Sequence, residues 1–268
     1  MSEWLKVIIL GIIEGITEFL PISSTGHLIV GTAILDFQNH LSNTFIVFIQ
    51  LGAVLAVIIY YWRDLFDQAR HVTTDRTSQG FWLAILIAVV PIGLVGLLLR
   101  ETIKTLLFTP TVVALSLIVG GVIFLYIERR KSSSELPEAI HEITPRQAFI
   151  IGMVQILALI PGISRSGASI IGGMQAGLSR KAATQFSFYL AIPTLGGATL
   201  LELLDVLNTI TPNELVNLIL GAVVSTIVAW LAIGWLLRFV AHHTFVPFGY
   251  YRILAGIVIL ITGALGWL

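Results

Sequence analysis

Two short stretches hold side chains suited to chemistry on an anionic group. The first is EGITEFLPISSTGH, residues 14–27. Glu14 and Glu18 are four residues apart, so on a helix they share a face. They lie in an apolar segment, where a carboxylate is costly and usually functional. Two carboxylates on one face suit a hard divalent cation such as Mg2+ or Ca2+, which takes oxygen ligands. The bland alternative is a protonated carboxyl bonded to a neighbouring helix. Ser23, Ser24 and Thr25 follow Pro21, and His27 follows Gly26. Proline breaks the helix, and glycine lets backbone approach a ligand closely. The hydroxyls are candidate nucleophiles or substrate contacts, and Ser23 equally fits the cap of the next helix. His27 reads as a base for a serine, a donor to phosphate or a satisfied core histidine. Its company of two glutamates and three hydroxyls favours function.

The second stretch is PGISRSGAS, residues 161–169. A guanidinium in an apolar setting needs an anionic partner, and the Arg165 fork fits phosphate. Ser164, Ser166 and Gly167 flank it at a helix start, where backbone N–H groups favour anions. The competing reading makes Arg165 a structural counter-ion to Glu14 or Glu18. Gln155 fits uncharged hydrogen bonding to a substrate or a plain helix–helix contact.

The elements that must position these residues are membrane helices. Hydrophobic residues make up 56% of the 268-residue sequence and charged residues only 11%, with a mean hydropathy of +0.95. Soluble domains carry roughly 25% charged residues. Zero net charge and no basic block give no reason to expect nucleic acid. The absence of Cys excludes disulfides, thiol catalysis and thiolate metal sites. The apolar N-terminus contains Glu14 and Glu18 and is not read as a removable signal.

Six apolar runs are long enough to span: 43–62, 80–99, 110–127, 182–203, 215–238 and 250–268. Residues 4–35 and 146–178 are interrupted by Pro, Gly and Ser near their middles, and each half is too short to cross. Each reads as a re-entrant hairpin with a polar tip, tolerated where protein or water covers it. The predicted fold is therefore all-α: a polytopic membrane protein of six spans and two re-entrant hairpins. Residues 1–127 and 147–268 form two halves, joined by a polar connector at 128–146.

Eleven Lys and Arg residues fall on one face of this layout and three, Lys6, Arg100 and Lys104, on the other. The eleven include Arg180, Lys181, Arg238 and Arg252. The positive-inside rule makes that face cytoplasmic and places both termini outside. The halves align at an offset of 141. Glu14 falls on Gln155, and Ser23, Thr25 and Gly26 fall on Ser164, Ser166 and Gly167. With three spans per half, the repeats insert in opposite senses and their tips can meet at mid-membrane, as in many transporters. Tyr60, Tyr61, Trp62, Trp82, Tyr250 and Tyr251, near span ends, read as interfacial anchors.

The two motifs resemble the signatures of the bacterial undecaprenyl-diphosphate phosphatases, the bacitracin-resistance family. EGITEFLPISSTGH is similar to its paired-Glu motif with the Ser-Thr-Gly-His turn, and PGISRSGAS to its Pro-Gly-x-Ser-Arg-Ser motif. QFSFYLAIP (185–193) also resembles the family, and the likeness extends over essentially the whole chain. Ser169 stands where the family usually has Thr, which keeps the hydroxyl. The resemblance implies hydrolysis of undecaprenyl pyrophosphate to undecaprenyl phosphate and inorganic phosphate. That reaction recycles the lipid carrier for peptidoglycan and bears on bacitracin resistance. It further implies divalent-metal dependence and a site open to the extracytoplasmic side of the bacterial cytoplasmic (inner) membrane. On this reading Glu14 and Glu18 hold the metal, and Ser24, His27 or water attacks phosphorus. Arg165 would spread the charge on the transferred group. Ser23, Thr25, Gly26, Gln155, Ser164, Ser166, Gly167 and Ser169 would line the substrate. The partners expected are a polyprenyl pyrophosphate and membrane lipids, and a homodimer is compatible with this. The alternative readings are a lipid-carrier flippase or secondary transporter, which the repeat would suit, and a phosphatidic-acid-type phosphatase, whose other motifs are absent.

Overall fold

Residues 1–37, 42–130, 140–206 and 211–265 are described by a computed structural model. Helices α1 (Glu3–Thr17) and α2 (Ser24–Ile34) form the first hairpin. Then come α3 (Ser42–Tyr60), α4 (Trp62–His71), α5 (Arg76–Leu98), α6 (Arg100–Leu106) and α7 (Pro110–Arg130). The second hairpin is α8 (Pro145–Gln155) and α9 (Arg165–Gln175), followed by α10 (Arg180–Val206), α11 (Pro212–His242) and α12 (Val246–Ala264). Much of the connector, residues 131–139, lies outside the described residues.

Five helices, α5, α7, α10, α11 and α12, are each long and apolar enough to cross a membrane. The pair α3 and α4, bent by 71° at their junction, is a sixth candidate when taken together. Large apolar side chains such as Leu86, Leu97, Leu98 and Leu254 are exposed on the outside of the bundle, as lipid contact requires. The two hairpins break where Pro21 and Pro161 interrupt them, as the sequence predicts.

Local sequence starts the helices. Thr144-Pro145 opens α8 and Thr211-Pro212 opens α11. In each, the Thr hydroxyl and the side chain three residues on, Gln147 or Glu214, form a capping box. Asp75 caps α5 by accepting from Ser78 N at 2.8 Å.

Packing interleaves the halves. Helix α1 lies on α11 and α8 lies on α5, so each hairpin leans on a span from the other half. The pairs α3–α10 and α7–α12 join the halves directly. Small residues allow this closeness: a Cβ on Gly52 would meet Ala222 O at 2.3 Å, and one on Gly152 would meet Ala88 O at 2.6 Å. A buried ion pair fastens the end carrying the connector. Arg180 meets both oxygens of Glu128, at 2.9 and 2.5 Å, and Phe245 N donates to the same carboxylate at 2.8 Å. Arg180, read from sequence as a loop cation, is thus a structural residue.

Candidate active site

The two hairpin tips meet inside the bundle. Ser166 Oγ, on the second tip, donates to Leu20 O on the first at 3.1 Å. Helices α2 and α9 both start at this junction, so two helix N-termini with their free N–H groups face one place. The residue before each helix has a positive φ: 72° at Ser23 and 74° at Ser164. Such backbone costs of order 1–3 kcal/mol per residue and tends to collect at functional sites.

Glu18 is the hub. Its Oε2 accepts from Ser24 Oγ at 2.6 Å, and its Oε1 pairs with Arg165 Nη2 at 3.1 Å. Glu18 and Ser24 are buried, as is the side chain of Arg165. Arg165 is steadied from α10, where Ser187 O accepts from Nη1 at 2.8 Å, and its guanidinium lies 5.8 Å from the Phe19 ring centroid. Its Nε has no protein partner. The counter-ion reading of Arg165 therefore holds for Glu18, while a donor remains for a ligand. A hydroxyl bonded to a carboxylate that a third group orients is the arrangement of an activated nucleophile.

Glu14 is fully buried, and neither carboxylate oxygen has a protein partner. Gln155 is equally buried, and its amide atoms also lack partners, so the helix–helix contact offered for it is not made through its polar end. Among the described residues, no group of three His, Cys, Asp or Glu gathers in one place.

The other predicted residues lie at or near the two tips. Ser23 makes no side-chain cap bond, against the capping alternative for it, whereas Ser164 does cap α9, accepting from Gly167 N at 3.1 Å. Ser164 and Ser166 hydroxyls lie 3.0 Å apart. Ser169 Oγ lies 2.7 Å from Ser187 Oγ and 2.9 Å from Arg165 O, bracing the arginine. Thr25 is part-buried in the first turn of α2. Gly26 and Gly167 leave room for protein: a Cβ on Gly26 would come within 3.2 Å of Val113, and one on Gly167 within 3.3 Å of Arg252.

His27 does not face Ser24. Its Nδ1 lies 2.7 Å from Ser23 O and its Nε2 lies 2.6 Å from Tyr251 OH. A carbonyl only accepts, so Nδ1 carries a proton; in the neutral ring Nε2 is then the acceptor and Tyr251 the donor.

Residues 7–258 match the family described as Bacitracin resistance protein BacA. The chain belongs to that family. Undecaprenyl-diphosphatases of Albidiferax ferrireducens and Deinococcus radiodurans are each 49% identical to it, over 98% of this chain and 97% of their own. Undecaprenyl-diphosphatase 1 of Burkholderia lata is 44% identical over 99% of both chains.

In this BacA-family chain two residues do more than the sequence shows. Tyr251, read as an interfacial anchor and half-exposed near a span end, also bonds His27. Arg252, counted among the eleven cations of one face, is fully buried. Its Nη1 donates to Pro21 O and its Nη2 to Gly162 O, each at 3.0 Å, so one side chain from α12 ties both tips. Ser116 O and Leu117 O of α7 lie at 3.4 and 3.5 Å. Gly120 makes the space, since a Cβ there would stand 2.0 Å from Arg252 Nη2. A cation near a span end is ordinarily read as a face marker. The pair of glycines at 120–121 on the facing span was the available sign that something large is buried there.

Proposed function

We infer that this chain is an undecaprenyl-diphosphatase, converting undecaprenyl pyrophosphate to undecaprenyl phosphate and inorganic phosphate. Carrier recycling for cell-wall synthesis and bacitracin resistance follow from that activity. The observation that carries the mechanism is Ser24 Oγ at 2.6 Å from Glu18 Oε2. Ser24 Oγ attacks the terminal phosphorus while Glu18 takes the hydroxyl proton. The bond from that phosphorus to the bridging oxygen breaks, and undecaprenyl phosphate leaves with the oxygen. Water then cleaves the phosphoserine, releasing phosphate and restoring Ser24. Arg165 orients Glu18 and offers its Nε to phosphate oxygens, and the N-terminus of α2, free of a side-chain cap, adds backbone donors. His27 is held aside by Tyr251, which favours Ser24 over His27 as nucleophile.

A divalent cation fits this site through Glu14, whose buried oxygens have no protein partner, with Glu18 as a second ligand and substrate oxygens or water completing the shell. Such an ion would offset charge on the transferred phosphoryl group. The test of the whole reading is phosphate release from the lipid pyrophosphate by purified protein, with and without chelator. Absence of turnover in both would sink it.

The two halves are proposed to be an inverted repeat. In support, Ser23 and Ser164 share an unusual φ at an offset of 141. At the same offset Gly31 faces Leu10 and Ile13 while Gly172 faces Ile151 and Val154. With Arg252 and Arg180 set aside as structural, nine cations remain against three, which supports entry of the first hairpin from the extracytoplasmic side of the cytoplasmic membrane. A Cys at Ser2 should then react with an impermeant reagent from outside; labelling only from inside would reverse the orientation.

A further inference from the structure

A cavity of about 520 Å³ lies where the end of α3, the start of α10 and the last turns of α11 converge. It shares no residue with the hairpin tips. Lys181, Arg238 and His242 supply its cationic and imidazole groups, and no acidic residue lines it among the described residues. Tyr60 and Trp230 supply aromatic walls.

The cavity follows one face of α11, from Trp230 through Gly234 and Arg238 to His242. At about 1.5 Å per residue this helix is about 46 Å long, more than the hydrocarbon thickness of roughly 30 Å. Its last turns therefore reach headgroup depth. Trp230, roughly 18 Å from the helix end, reaches acyl-chain depth. The polar groups cluster at the shallow end, and Trp230 and Leu231 lie at the deep end.

The shallow end is partly organised. Arg238 Nε donates to Gly234 O at 3.0 Å, which fixes the stem of the guanidinium. Gly234 has no packing reason to be glycine. A Cβ there would meet Tyr60 Cε2 at 3.5 Å and Arg238 Nη2 at 3.6 Å, both ordinary contacts. The space it leaves belongs to the cavity.

We propose that this cavity is a binding site for one anionic membrane lipid, with its phosphate at Arg238 and its chain along Trp230 and Leu231. A guanidinium fork recognises phosphate oxygens in pairs, which a zwitterionic headgroup offers less freely. The competing account is a pair of basic residues reaching toward the interface with no site between them.

The test is native mass spectrometry of the whole purified protein titrated with dioleoylphosphatidylglycerol, dioleoylphosphatidylcholine or inorganic phosphate. Wild type should bind one phosphatidylglycerol at least about tenfold more tightly than phosphatidylcholine, a difference of about 1.4 kcal/mol. Arg238→Gln should remove that preference. Gly234→Leu fills the cavity without changing charge and should weaken binding of phosphatidylglycerol by a similar factor. Arg63→Gln, an exposed cation on α4 outside the cavity, should change nothing. Equal binding of the two lipids would overturn the proposal, and so would an equal effect of Arg63→Gln. Full retention of the lipid by Gly234→Leu would overturn the assignment to this cavity. Inorganic phosphate binding as tightly as phosphatidylglycerol would overturn the lipid as ligand. A thermal melt of each variant checks folding. Hydrolysis is not the readout, so the result stands apart from the phosphatase reading.

Discussion

Tyr251 on α12 donates its hydroxyl to Nε2 of His27 on α2 at 2.6 Å, across 224 residues of sequence. The two rings lie nearly parallel, at 4°. This bond fixes the tautomer of the histidine and keeps its second nitrogen from Ser24. Tyr251→Phe removes the donor and keeps the ring. One neutral hydrogen bond contributes about 0.5–1.5 kcal/mol to stability, so the melting temperature should fall only slightly, while a change in turnover would report a part for His27 in the reaction. The pH profile of hydrolysis should shift, since His27 Nε2 is freed. An unchanged rate and profile would show that His27 is a structural residue.

Arg252 is predicted to be the stability centre of the site. Arg252→Met leaves the carbonyls of Pro21 and Gly162 buried without their donors, at about 1–3 kcal/mol each. The melting temperature in detergent should fall by several degrees, with activity lost alongside. Gly120→Ala should act in the same direction, because Arg252 is held by its carbonyls and cannot swing clear. A melt equal to wild type for both variants would remove Arg252 from this role.

The candidate site residues of the first tip form a local pattern, and that is why it was readable. Glu14, Glu18, Ser24 and His27 lie within one broken helix, and Pro21 and Pro161 mark both breaks in the sequence itself. What was not readable came from elsewhere in the chain. Ser187, Tyr251 and Arg252 reach the tips from α10 and α12, and nothing in their neighbours' composition tells an inward cation or phenol from an interfacial one. Arg252 near a span end satisfies the charge rule for loops as well as Arg238 does. The approach of α12 to the paired glycines 120–121 of α7 separates them. Ser23 makes no cap bond to α2 although Ser164, at nearly the same φ, caps α9, so neither residue type nor backbone angle alone decides the cap.

Arg165→Lys tests the guanidinium. Lysine keeps a positive charge beside Glu18 but lacks the planar fork that reaches Ser187 and Glu18 from separate nitrogens and leaves Nε for a ligand. Turnover should fall by at least about 100-fold, since loss of one transition-state donor typically costs about 2.7–4 kcal/mol. The protein should still fold. Near wild-type turnover would make Arg165 a counter-ion only.

Glu14 is predicted to govern the metal. Glu14→Gln retains size and hydrogen-bonding capacity but loses the charge a cation needs. The concentration of Mg2+ or Ca2+ giving half-maximal phosphate release should rise at least about tenfold, following the effect of weakened metal ligation. Isothermal titration with the same ions, free of substrate, should show matching loss of binding. An unchanged metal requirement would place the cation elsewhere or remove it.

The central claim is that Ser24, activated by Glu18, is the group that attacks phosphorus. The most direct measurement is hydrolysis of undecaprenyl pyrophosphate by purified wild type, Ser24→Ala and Glu18→Gln, each checked by thermal melt. Both variants should remain folded and lose about 1,000-fold or more in turnover, and the double variant should be no slower than either alone, because the pair acts as one unit. Substantial turnover by folded Ser24→Ala would contradict the account and make water the nucleophile.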